Sequence, residues 1–215
     1  MLFQNMDHIV FAGDSVTDMG SLAPVAEGLV DSLGFGYVRM IENLLASGYP
    51  QCAFRITNSG MGGDTSRMLL KRFQTDVLEL SPDYISICIG INDVWRQFDL
   101  PAFTYQHVYP EEYRDNLTKM VKQSKQCAKG VFLCTPYYME PNRNDPMRRR
   151  MDEYGAICKE IAAEYDCTLV DFQAALDGFF QYRHSSFLAW DRVHPNQIGA
   201  TLFAKTFLKQ CGFVF

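Results

Sequence analysis

Four short stretches of this sequence hold residue types suited to acyl transfer. They are Gly13-Asp14-Ser15 in "FAGDSVTD", Gly62-Gly63-Asp64 in "NSGMGGDT", Gly90-Ile91-Asn92-Asp93, and Asp191-Arg192-Val193-His194 in "LAWDRVHPN". A serine hydroxyl attacks a carbonyl carbon when a neighbouring imidazole takes its proton, and the imidazole in turn needs a carboxylate on its other nitrogen to fix the tautomer. Ser15, His194 and Asp191 can fill those roles. An aspartate and a histidine three residues apart can share one side of a turn, so the carboxylate reaches Nδ1 and leaves Nε2 for Ser15, with Pro195 stiffening the turn. The tetrahedral intermediate also needs donors for its oxygen. The backbone amides of Ser15 and Gly63 and the side-chain amide of Asn92 can supply them: glycine because no Cβ hinders approach, asparagine because its amide does not titrate.

Taken singly, each stretch has a plainer meaning. Gly-Asp-Ser is a common turn, and Asn92-Asp93 can open a turn after a strand, which is all that Asp93 is expected to do. Asp14 reads as a loop organiser accepting backbone amides, with contact to a substrate as its other role. Trp95 and Trp190 flank Asn92 and Asp191, where their rings can line a crevice and stack on sugar rings, or pack in the core. Of the histidines, His8 is expected to be structural. His107 could touch substrate or a neighbouring subunit. His184 is the rival base, but no acid sits three residues from it.

The elements that must position these residues follow from hydrophobic patterning. Short apolar, β-branched runs alternate with longer segments of helical period, the pattern of a parallel sheet flanked by helices. Strands are expected at His8–Gly13, Phe54–Thr57, Tyr84–Ile89, Val131–Thr135 and Thr168–Phe172. Helices are expected from Tyr37 to about Gly48, from Thr65 to Leu80 with Asp64 as cap, from Glu111 to Lys125, from Pro146 to Tyr165, and after Pro195. The aromatic segment Asp99–Pro110 reads as a binding or assembly loop. In such a sheet the loops beyond the carboxyl ends of the strands form the ligand crevice, so all four stretches fall on one rim.

Composition narrows the classes. The chain has 215 residues, 47% of them hydrophobic, and a net charge of −5, as expected of one globular domain spanning 1–215. No broad basic field suggests a nucleic-acid partner, and Arg148-Arg149-Arg150 reads as the solvated start of a helix. Seven cysteines form no Cys-x-x-Cys pair, which points to reduced thiols in a cytoplasmic protein. Asp7 and His8 interrupt any leader-like core, and no apolar run approaches the roughly 20 residues of a membrane span.

Together the four stretches resemble the blocks of the SGNH (GDSL-like) hydrolase superfamily, in order and at plausible distances. That resemblance implies a flavodoxin-like three-layer α/β/α sandwich with a five-stranded parallel sheet of order 2-1-3-4-5. It implies Ser15 as nucleophile, Asp191 and His194 completing a triad, Ser15, Gly63 and Asn92 as the oxyanion hole, and neither cofactor nor metal. Val16-Thr17 stand where the family name expects leucine, a difference of packing. The stretches "GINDVWRQFDLP", "HVYPEEY", "TPYYMEPNRNDPMRRRMDEYG" and "LAWDRVHPN" further resemble intracellular bacterial serine acetylxylan esterases over nearly the full length. This implies a short O-acetylated sugar as substrate and a homo-oligomer of dimers that can join into a larger ring.

Other readings stay open. A lysophospholipase or thioesterase would use the same rim with an apolar acyl channel. A flavodoxin-like nucleotide-binding module would hold an anion on the helix opened by "GMGGDT", but G-x-G-x-x-G and the Gly-Lys-Ser/Thr tail are both absent, and Asp191 and His194 would be idle. An interaction scaffold on this fold would be favoured by a missing block. The G-x-S-x-G elbow is absent, because position 17 is threonine.

Overall fold

The apolar run His8–Gly13 forms β1, buried along its whole length, at the centre of a computed structural model that describes residues 1–28 and 31–215. Around it lie β2 (Ala26–Glu27), β3 (Arg55–Gly60), β4 (Tyr84–Cys88), β5 (Gly130–Cys134) and β6 (Thr168–Val170). Their order across the sheet is β2-β3-β1-β4-β5-β6. β1 and β4 are buried on both faces, as their nearly continuous apolar sequences require. Parallel register aligns Gly13 with Gly60 and with Cys88, so the exits of β1, β3 and β4 sit side by side.

The expected five-stranded parallel sheet is corrected to a mixed sheet of six. Ala26–Glu27 pairs antiparallel with β3, placing Ala26 opposite Asn58 and Glu27 opposite Thr57. This pairing is available because β3 runs on to Gly60 instead of stopping at Thr57. Asn58 would be costly to bury unpaired, but its side-chain amide donates to the Thr17 carbonyl at 2.7 Å and the Leu33 carbonyl at 3.0 Å, and its oxygen accepts from the Gly60 amide at 2.9 Å. The polar "NSG" is therefore strand, not loop.

The helices are α1 (Ser15–Asp18), α2 (Tyr37–Gly48), α3 (Ser66–Asp76), α4 (Ile91–Asp99), α5 (Pro110–Ser124), α6 (Pro146–Glu164), α7 (Phe172–Phe180) and α8 (Gln197–Gln210). α2, α7 and α8 pack as one layer, while α3, α5, α6 and α4 form the other. Between the first layer and the sheet lies an aromatic core in which Phe172 stacks on Phe203 at 4.3 Å and Tyr137 meets Phe203 at 4.8 Å. Among the described residues no helix is long and apolar enough to cross a membrane.

Several local expectations are revised. α3 ends at Asp76, its cap is Thr65 and not Asp64, and Met68 points outward. β6 stops at Val170 because the Asp171 side chain accepts from the Ala174 amide and opens α7. Arg148 is not solvated: its side chain is 1% exposed, and it donates to Asp152 (2.8 Å), Asp177 (2.7 Å) and the Glu140 carbonyl (2.7 Å). The stem packs inside while the guanidinium finds acceptors on three segments.

Candidate active site

β1 delivers Gly13 to the rim at a point too crowded for any side chain: a Cβ there would meet Thr17 Oγ1 at 2.2 Å and the Cys88 carbonyl at 2.5 Å. The chain then turns into α1, capped by Asp14, whose side chain accepts the Val16 amide at 3.0 Å. Ser15 is the first residue of that short helix. Its backbone amide has no acceptor among the described residues, as expected of a first-turn N–H, and its side chain is partly exposed.

On the other side, the loop before α8 brings His194 over Ser15. Ser15 Oγ lies 2.8 Å from His194 Nε2, and His194 Nδ1 lies 2.6 Å from Asp191 Oδ2. The other Asp191 oxygen accepts the amides of Val193 (2.9 Å) and His194 (2.8 Å), closing the three-residue turn on itself. Partial burial works against the charged form of Asp191, yet the bonds from the His194 ring and these amides outweigh it and hold the carboxyl below its usual range. An ionised Asp191 accepts the proton on Nδ1. Nε2 is thereby left as the acceptor for the Ser15 hydroxyl.

The β3 exit is stitched against the same point. Met61 donates its amide to the Gly13 carbonyl at 3.1 Å, and the Arg72 guanidinium reaches from α3 to the carbonyls of Gly13 and Ser59, each at 3.0 Å, and to Asp64 at 2.7 Å. Gly63 has φ +85° with open space where a Cβ would be, and its amide has no acceptor among the described residues. Asn92, in the first turn of α4, donates to the Asp64 carbonyl at 2.9 Å. One of its two N–H bonds anchors the loop, and the other has no acceptor among the described residues.

The other residues singled out in the sequence divide. Trp95 sits with its ring 5.9 Å from that of His194, under the Arg96 guanidinium at 4.9 Å. Trp190 is 91% exposed, so core packing is ruled out for it. Contact between Asp14 and a substrate is corrected: the carboxyl is 1% exposed and engaged as a cap, and burial pushes its pKa up to about 8. Asp93 does more than open a turn. It is fully buried and takes the Ser66 amide at 2.9 Å as well as the Ser66 hydroxyl, with its pKa raised by burial to about 6. His107 is turned inward, its ring nitrogens meeting the Leu100 carbonyl at 3.1 Å and the Tyr109 hydroxyl at 3.3 Å, so contact with a substrate or neighbouring subunit through that ring is corrected. His8 bonds Thr57 at 2.7 Å inside the sheet, and His184 caps a short turn through Ser186.

The Asp93–Ser66 pair bears on the nucleotide-binding reading. The leading amide of α3, which would receive an anionic ligand, already holds a protein carboxylate. Arg72, which ties the β3 exit to the residue before Asp14, is a neighbour of the site that sequence reasoning missed. An arginine two turns into an amphipathic helix looks like any solvated charge, and two of its five acceptors are backbone carbonyls, of Gly13 and Ser59, that leave no trace in sequence.

Comparisons with known proteins agree with one another. The model of the GDSL-like lipase/acylhydrolase family matches residues 11–202. The chain is 45% identical over 207 residues to an acetylxylan esterase of Geobacillus stearothermophilus, covering 96% of this chain and 94% of that one. Among solved structures, a variant of Axe2, described as an acetyl-xylooligosaccharide esterase from that organism, superposes with a TM-score of 0.98 at 43% identity, covering 100% of this chain and 98% of the other. LAE5, described as an α/β hydrolase from the metagenome of Lake Arreo in Spain, gives a TM-score of 0.96 at 45% identity, covering 99% and 98%.

Proposed function

Because this chain belongs to the GDSL-like lipase/acylhydrolase family, we propose that it is a serine acetylesterase that removes O-acetyl groups from short xylo-oligosaccharides through an acetyl-enzyme on Ser15. The observation that carries this reading is the unbroken chain from Ser15 Oγ to His194 Nε2 at 2.8 Å and from His194 Nδ1 to Asp191 Oδ2 at 2.6 Å. Such a chain serves acyl transfer, and the likeness to an acetylxylan esterase points to a carboxylic ester as the bond cleaved.

In this reading Ser15 Oγ attacks the acetyl carbonyl carbon as its proton passes to His194 Nε2. Asp191 stays ionised and stabilises the imidazolium while keeping its ring in register. The carbonyl oxygen becomes an oxyanion facing the amides of Ser15 and Gly63 and the free N–H of Asn92. Collapse expels the sugar oxygen, which takes the proton from His194, and leaves acetyl-Ser15. Water, deprotonated by His194, then attacks the acetyl carbon and releases acetate and Ser15.

Two features support a small acyl group on a carbohydrate: Trp95 sets a bulky ring beside that of His194, and Trp190 offers an exposed aromatic face next to Asp191. We read the chain as one hydrolase domain over residues 1–215, working in the cytoplasm as a homo-oligomer. One continuous hydrophobic core supports the single domain and seven unpaired cysteines support the compartment, while the assembly rests on the resemblance to the acetylxylan esterases. Sedimentation velocity tests the assembly.

The deciding experiment is mass spectrometry of acetylated xylo-oligosaccharides before and after incubation, with the Ser15→Ala variant as control. Loss of acetyl groups without shortening of chains is expected, and an unchanged spectrum overturns the substrate assignment. A faster reaction with p-nitrophenyl octanoate than with the acetate would favour a lysophospholipase or thioesterase instead.

A further inference from the structure

The turn that carries Asp191 and His194 passes through a residue in an unfavourable backbone conformation. Arg192 has φ +65°, the left-handed region that residues with a Cβ avoid. The peptide planes on either side of it set the direction of the Asp191 side chain and of the Val193 and His194 amides that this carboxylate accepts. Whatever holds Arg192 therefore holds the geometry between base and acid.

That support comes from the segment after β5. Met139 donates its amide to the Arg192 carbonyl at 2.9 Å, the buried Tyr137 hydroxyl donates to the Val193 carbonyl at 2.7 Å, and the Arg192 guanidinium pairs with Glu140 Oε2 at 2.8 Å. The Glu140 side chain is 13% exposed and that of Arg192 49%, so the carboxylate end of the pair is sheltered while the guanidinium end meets solvent. The Glu140 carbonyl is itself gripped by the buried Arg148 at 2.7 Å, so the clamp is fastened to α6.

We propose that Glu140 is a positioning residue for catalysis, holding Arg192 in its left-handed conformation so that Asp191 stays aligned with His194; this rests on the acetylesterase reading above. Without the carboxylate, Arg192 loses its charged partner across the β5 exit and keeps only the contact of its side chain with Tyr138, and its backbone relaxes toward negative φ. Asp191 then swings relative to Nδ1. Substrate binding on the open rim is left nearly intact. Glycine adopts positive φ without penalty, so Arg192→Gly removes the need for the clamp.

The test is a comparison of wild type, Glu140→Ala and Glu140→Ala/Arg192→Gly on p-nitrophenyl acetate, assayed well below the lowest melting temperature of the three. Misplacement on the ångström scale costs up to about 100-fold, so a loss of ~10-fold in kcat with KM within twofold is expected for Glu140→Ala, and recovery of most of it is expected in the double variant. Unchanged kcat in Glu140→Ala overturns the proposal, and so does a double variant as slow as the single, because Glu140 would then not act through the Arg192 backbone. If Glu140→Ala does not fold, Glu140→Leu, which fills the space without an acceptor, gives the same comparison with and without Arg192→Gly. An inactive wild type counts against the acetylesterase reading itself, a different result from an active wild type matched by Glu140→Ala.

Discussion

The Asn92 side chain donates to the carbonyl of Asp64 at 2.9 Å, tying the first turn of α4 to the residue that follows Gly63. Donors from two separate strand exits are thus fixed to each other by protein contacts before any ligand arrives. Preorganisation of this kind makes an oxyanion site effective, because the donors need not reorient as charge develops.

Replacing Asn92 by alanine removes one donor and frees the Asp64 carbonyl from its anchor. A fall of about 10²–10³ in kcat is expected, with a small change in KM, measured by steady-state hydrolysis of p-nitrophenyl acetate. A fall of less than threefold would mean that Asn92 does not face the reacting oxygen.

His194 and His184 are rival bases in the sequence, and their environments separate them. His194 bridges Ser15 and Asp191, whereas His184 sits exposed against Ser186. His194→Ala should lose about 10⁴-fold or more in kcat. His184→Ala should stay within twofold of wild type. Comparable losses in the two would undo the assignment.

How much of this was legible in sequence depended on where the partners of each residue lie. Ser15, Asp191 and His194 stand in short local blocks of residue types suited to acyl transfer, and the strand patterning put the Ser15 block at a carboxyl end, whereas Asp191 and His194 follow α7 instead of the strand itself. Asp14 and Asp93 have equally short contexts, yet their roles are set by burial and by an amide on another helix, and residue type carries no sign of either. Asn58 looked like loop because its partners are the carbonyls of Thr17 and Leu33, both distant in sequence. α4 and α7 were missed for a related reason. Each starts directly at a strand exit, on Gly90 or on the Asp171 cap, so the polar residues that should signal a break belong to the helix itself.

Arg148 gives a test of stability that the sequence alone would have argued the other way. Its guanidinium is enclosed and donates to Asp152, Asp177 and the Glu140 carbonyl. Truncating one side of a buried ion pair costs about 3–5 kcal/mol. Asp152 and Asp177 remain partly exposed and can rehydrate, so Arg148→Ala is expected at the low end, about 3 kcal/mol by urea denaturation. Arg148→Met keeps the packing of the stem and should lose less. A loss under about 1 kcal/mol for the alanine variant would show the site to be as solvated as the arginine run suggests.

Asp14 should give the protein a stability that falls as pH rises. Burial lifts its pKa from 3.8 to about 8, while the unfolded chain keeps the ordinary value. Below pH 4 both states are protonated and the group contributes nothing to the slope. Between the two values the unfolded chain has released its proton and the folded chain still holds it, so each step up in pH favours unfolding. Above about 8 both are ionised and the slope vanishes. Asparagine keeps an oxygen to accept the Val16 amide and carries no charge, so Asp14→Asn should match wild type near pH 4 and gain on it steadily up to pH 8. At about 1.4 kcal/mol per pKa unit the shift sets an upper bound of about 6 kcal/mol, and relaxation with water entry should reduce the observed gain to a few kcal/mol. Melting temperatures of the two proteins across that range are the measurement. Parallel curves would mean that Asp14 is already ionised in the folded enzyme, and a variant that loses ground with rising pH would reverse the sign of the argument.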